Sequence, residues 1–155
     1  MTPWKMPPMA KVYEALSALA DGRVRIMAPG QAQVVSSAGD KTYSVEWSED
    51  GRRISSNDNA SIWQGYTGYP IIAVLLATGR IPYDPASASP LAGVPWHKIN
   101  ERFRRNYDAA VESVLQDIEM HGGDRRAIER EVEAIHRRLE GLGLERGPRR
   151  APFKG

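Results

Sequence analysis

Three histidines, His97, His121 and His136, are the only imidazoles in the chain, and there is no cysteine. A cysteine nucleophile, a disulfide framework and a thiolate-held zinc or iron–sulfur site are therefore excluded, and the histidines are too scattered to form a metal cage. His97 and Glu101 stand four residues apart, a spacing that suits an exposed helical ion pair better than catalysis. Ser55 and Ser56 lie near Asp58, but no histidine is close in the chain to serve as base. Asp58 and Asp84 are the one carboxylate pair to weigh for acid–base work, and nothing in the sequence draws them together. His121, beside Gly122, reads as a helix C-terminal residue facing the dipole. There is no phosphate-binding GxxxxGK[ST] loop, no GxGxxG after a strand, no HExxH and no GxSxG elbow. No catalytic residue, cofactor or metal ligand is assigned, and the expectation is a protein that is not an enzyme.

The side chains that remain are cationic. Sixteen arginines and five lysines oppose nineteen acids, for a net charge of only +2, so local clustering matters more than the overall field. Arg23 with Arg25, the run Arg102, Arg104 and Arg105, and the terminal set Arg146, Arg149, Arg150 and Lys154 are the clusters. Arginine offers forked phosphate contacts and stacking, although coding bias or thermal adaptation would also favour it over lysine. Trp47, Trp63, Tyr66 and Tyr69 fit either base stacking or the core, and Trp47 falls on the apolar side of its strand.

The elements that must carry these groups can be read from period and punctuation. Residues 1–8 hold three prolines and read as an extended arm. A helix follows over 9–20, with Val12, Leu16 and Leu19 on one stripe and Gly22 past its end. The period then switches from 3.6 to 2, with strands expected over 24–26, 32–37, 42–47 and 52–56 between glycine-bearing turns, as in an antiparallel meander. A polar loop covers 57–68, and Pro70 opens an apolar helix over 71–78, expected to be buried on the sheet. A proline-rich loop covers 83–95. Residues 96–120 read as one long amphipathic helix. Asp124 caps a last helix in which Ile128, Val132, Ile135 and Leu139, with Leu142, recur at 4-3-4-3 spacing. This seam packs either in a helical hairpin or against a partner. The segment 144–155 reads as a flexible basic tail. The fold class expected is α+β: a small antiparallel meander packed on helices, with a C-terminal helical hairpin. The domain plan is an arm over 1–8, a core over 9–120, a helix over 124–143 and the tail.

Residues 34–79 resemble a SWIM domain. The resemblance rests on Lys41-Thr42-Tyr43-Ser44-Val45-Glu46-Trp47, on Ile54-Ser55-Ser56-Asn57-Asp58-Asn59, and on Gly68-Tyr69-Pro70-Ile71-Ile72-Ala73-Val74-Leu75-Leu76-Ala77. The family holds zinc with Cys-x-Cys where this chain has Ile54 and Ser56, and with Cys-x-His where it has Gly68 and Pro70. None of these four can ligate zinc. The resemblance implies a ββα unit whose metal clamp has been replaced, with Ile54, Ile62, Trp63, Tyr66 and Tyr69 as candidate packing and Asn57, Asp58 and Asn59 as local caps. SWIM modules are associated with DNA or protein binding in transposase-like proteins, helicase-type ATPases and recombination mediators, so the resemblance implies recognition rather than catalysis.

The functional expectation is a non-catalytic nucleic-acid-binding protein using Arg102, Arg104, Arg105, Arg146, Arg149, Arg150 and Lys154 on DNA or RNA, as a component of a nucleoprotein assembly such as a ribosome or a DNA-repair complex. The alternative is a protein–protein adaptor or homo-oligomer, with Ile128, Val132, Ile135 and Leu139 facing the partner. The longest apolar run, 71–77, is too short for a bilayer, and residues 1–10 lack a signal-peptide pattern, so the expected location is cytoplasmic, without membrane contact.

Overall fold

The computed structural model describes residues 2–147. Helix α1 (Ala10–Ala20) leads into strands β1 (Val24–Ala28), β2 (Gln31–Val35), β3 (Thr42–Trp47) and β4 (Arg53–Ser56). A single π-helical turn, Ala60–Gln64, precedes α2 (Tyr69–Ala77). The short α3 (Pro85–Ala88) and a 3-10 turn follow, then α4 (Trp96–Arg102), α5 (Tyr107–Met120), α6 (Arg125–Gly141) and β5 (Glu145–Arg146). The fold is α+β, as the change of period implied.

The five strands lie in the order β1-β2-β3-β4-β5, and every pairing is antiparallel except that of β4 with β5. The register pairs Val34 with Tyr43 and Ala32 with Val45, and Trp47 with Ile54, which gathers the apolar side chains on one face. α2 covers that face. Its sequence is apolar all round, and residues Pro70 to Leu76 are buried between the sheet and α1. Each of its fully buried aliphatic side chains contributes about 2 kcal/mol relative to an exposed position. The opposite sheet face carries Arg25, Gln33, Ser44 and Glu46. α1 is buried from Ala10 to Ala18 because it packs against α2, α3, α5 and α6 together. Its Ser17 Oγ donates to Leu91 O at 2.8 Å and accepts from Trp96 Nε1 at 2.7 Å, which ties the proline-rich segment down.

Two expectations change in detail. The helix read over 96–120 is two helices. Its break falls where Arg104 and Arg105 take left-handed conformations, at φ 52° and 64°, and Asn106 Oδ1 accepts from Ala109 N to start α5 afresh. The basic tail does not begin at 144. Glu145 and Arg146 add a parallel strand to β4, and Gly147 N donates to Ile54 O at 3.1 Å. The remainder of the tail, 148–155, lies outside the described residues. Ile26, paired with Ala32 on the edge strand β1, is 50% exposed. No helix among the described residues is long and apolar enough to cross a membrane.

Candidate nucleic-acid interface

The corner between β4 and α2 is held by polar contacts. The Asp58 carboxylate is buried and accepts from Ser56 Oγ at 2.5 Å, Ser61 Oγ at 2.8 Å and Ser61 N at 3.0 Å. Ser61 Oγ in turn accepts from Gly68 N at 3.1 Å, so the carboxylate reaches the start of α2 through one serine. Gly68 has an ordinary φ, but a Cβ on it would lie 2.2 Å from Asp58 Oδ2. The residue must be glycine because the space is taken. Asn57 is not the local cap expected of it: its Oδ1 reaches across to β3 and accepts from Ser44 N at 2.8 Å, whereas Asp58 does bond its own turn through Ser61 N. The donor set does not fit zinc. One carboxylate, already saturated by hydroxyl and amide donors, stands among serines, and no group of three or more His, Cys, Asp or Glu side chains gathers among the described residues. The aromatic packing expected here is only partly present. Ile54 and Ile62 are buried, whereas Trp63, next to Ile62 on the π-helical turn, is 61% exposed.

Beside this corner the two ends of the described chain meet. The arm crosses β5, with Trp4 N donating to Leu144 O at 3.1 Å and Arg146 N to Thr2 O at 2.8 Å. Trp4 Nε1 reaches Ile54 O at 2.9 Å. Lys5 N bonds Gly65 O at 3.0 Å, and Lys5 pairs with Tyr66. Gly65 is left-handed, at φ 74°, and a Cβ there would lie 3.7 Å from Arg146 Nη1 and 3.9 Å from Lys5 Cδ. Two cations thus flank one point. The Arg146 guanidinium lies 5.0 Å from the centroid of a Trp4 ring, and the exposed Trp63 is two residues from Gly65.

A buried ion pair links this patch to the arginine loop. Lys11 and Glu14, both buried on α1, stand 3.1 Å apart, and Lys11 Nζ lies 4.5 Å above the Tyr107 ring. Desolvation lowers the Lys11 pKa, but Glu14, Tyr107 and Tyr66 outweigh it, and the ammonium ends above its ordinary value. Burial raises the Tyr66 hydroxyl, with Lys11 pulling the other way. Asn100 Nδ2 donates to Glu14 Oε1 at 3.0 Å, and Arg105 N donates to Asn100 O at 2.8 Å. The conformation of the loop bearing Arg104 and Arg105 is thereby anchored in the core. Two consecutive left-handed arginines cost about 1 kcal/mol each, which their backbone bonds to Glu101 O and Asn100 O offset.

The sequence-derived sites fare unevenly. Arg102, Arg104 and Arg105 are exposed and sit together at the end of α4. Arg102 touches the Phe103 ring at 5.1 Å and Ser113 Oγ at 3.5 Å. Arg146 is separate from them, on β5. Arg149, Arg150 and Lys154 lie outside the described residues. Ile128, Val132, Ile135 and Leu139 are 0–4% exposed. That corrects the partner-facing reading, because the seam already packs into this chain's own core. Arg23 pairs with Asp21 at 3.1 Å and donates to Val35 O. His97 and Glu101 form the expected exposed pair at 3.3 Å. Asp58 and Asp84 each cap a different element, Asp84 accepting from Ala86 N at 3.0 Å. Sequence reasoning missed Trp4, Lys5 and the Lys11–Glu14 pair. A lysine and a glutamate at i,i+3 on an otherwise apolar helix face were the available signal.

No curated protein and no solved structure matches the chain. One family model does match, over residues 4–145, and it spans the arm, the corner, the arginine loop and the start of β5 alike. The chain therefore belongs to the family described as Uncharacterised conserved protein UCP014422.

Proposed function

We propose that this protein binds single-stranded nucleic acid without catalysing a reaction, as a component of a nucleoprotein assembly such as a ribosome or a DNA-repair complex. The observation that carries the reading is the convergence of the Lys5 and Arg146 side chains on Gly65, with Arg146 over Trp4 and the exposed Trp63 two residues from Gly65 in the chain. Cations at this spacing neutralise phosphates, and exposed rings stack on bases whatever their sequence. The loop of Arg102, Arg104 and Arg105 joins the patch through Tyr107, Lys11 and Tyr66, and the basic residues Arg149, Arg150 and Lys154 follow directly after β5 in the chain. In this reading residues 34–79 are a SWIM-like module in which Ser56, Asp58, Ser61 and Gly68 do the work of the metal clamp. A cytoplasmic location belongs to the same proposal. The alternative of an adaptor loses its proposed surface, since the α6 seam is internal.

Filter binding of single-stranded and duplex DNA and RNA, at low and at physiological salt, tests the reading. The expected result is retention of single strands at low salt, steeply weakened by added salt. Absence of retention at low salt would overturn it.

A further inference from the structure

A cleft of about 450 Å³ opens between the turn at 90–95, α4 and α5, on the side of the arginine loop, and it falls in the size range of small-ligand sites. Its walls are the flat and branched side chains of Val94, Pro95, Ile99, Val114 and Ile118. Its polar groups are ordered along α5. Arg102 stands against Ser113 at one end, and Gln116 and Asp117 follow one helical turn further, about 6 Å along the axis. Arg102 makes one long hydrogen bond, 3.5 Å to Ser113, so its guanidinium retains donors for an anion. The Asp117 carboxylate is largely exposed and has His121 Nδ1 at 3.6 Å.

We propose that this cleft holds one unstacked nucleotide of the bound strand, with its phosphate on Arg102, its base against the aliphatic walls and its exocyclic amino group donating to Asp117. The proposal rests on the nucleic-acid reading above and names what that interface takes at this point. The combination of groups selects this occupant. Inorganic phosphate has no use for the apolar walls, and a hydrocarbon chain has none for Gln116 and Asp117. Carboxylates accept from the amino group of cytosine, and adenine carries an equivalent donor, whereas uracil and thymine have none. The site therefore prefers amino-bearing bases.

Titration of the full-length protein with CMP, UMP and ribose 5-phosphate, followed by calorimetry, tests this. CMP is expected to bind about tenfold more tightly than UMP or ribose 5-phosphate. Arg102→Ala should weaken all three. Gln116→Trp, at an exposed position that folding tolerates, should fill the cleft and abolish CMP binding. CMP bound no better than ribose 5-phosphate, or bound equally by Gln116→Trp, would overturn the proposal. Oligonucleotide retention is measured on the same samples. Strands held equally by wild type and Gln116→Trp would sink the cleft assignment and leave the binding function standing. CMP bound in the cleft with no strand retained would sink the function and keep the cleft.

Discussion

At Asp58 two hydroxyls and one amide donate to a single buried carboxylate, and Gly68 closes over it with no room for a methyl group. Hydrogen bonds to a charged group are worth about 1.5–3 kcal/mol each, and truncation leaves the partners unsatisfied. Asp58→Ala is expected to lower unfolding stability by about 3 kcal/mol or more, read from urea denaturation. Gly68→Ala should cost about 2 kcal/mol or more, because backbone and carboxylate must separate. Gly141, in the last turn of α6 with nothing within 4 Å of its absent Cβ, supplies the contrast: Gly141→Ala should stabilise by about 0.5–1 kcal/mol. A Gly68→Ala protein as stable as wild type would refute this account of the corner. The sequence made Asp58 legible as a local cap, since Asx side chains bond nearby backbone, but Asn57 bonds Ser44 N on β3 instead. It did not reveal the relay through Ser61, because a serine in a polar loop gives no sign of being buried.

Among the elements, α6 shows what periodicity can and cannot say. The 4-3-4-3 spacing from Ile128 to Leu139 located the apolar stripe correctly. Whether that stripe meets a partner or the chain's own core depends on α1, α3 and α5, which no spacing within α6 encodes. With Leu139 4% exposed, Leu139→Asp is expected to unfold the whole molecule, at a cost of about 4 kcal/mol. A folded variant altered only in its oligomeric state would favour the adaptor reading. The break between α4 and α5 was hidden for a related reason. Ile99, Phe103, Tyr107 and Val111 keep helical spacing across it, and only Asn106 followed by Asp108 marks the new N-terminus. The arm was legible as extended from its prolines. Its docking was not, because it depends on pairing with Leu144 and Arg146 at the far end of the chain.

For the molecule as a whole, the titrating groups give stability a direction with pH. Lys11 is held above 10.5 in the fold. Burial raises Tyr13 to about 12 and Tyr69 further. As pH rises past 10, the unfolded chain releases these protons while the folded one keeps them, so folding stability falls. Urea midpoints should be lower at pH 11 than at pH 8, and Lys11→Met should reduce the difference. An unchanged midpoint would contradict the buried pair. The α+β class was legible because binary patterning and turns set it locally. The basic patch was not, because Lys5 and Arg146 meet at Gly65 only through the closing of the arm on β5 and on the segment after the π-helical turn. The most direct test is the salt dependence of single-strand binding, by fluorescence anisotropy, for wild type and the Lys5→Ala/Arg146→Ala variant. Loss of two phosphate contacts predicts a log–log slope shallower by about 1.4. An unchanged slope, or no binding by the wild type at low salt, would contradict the account.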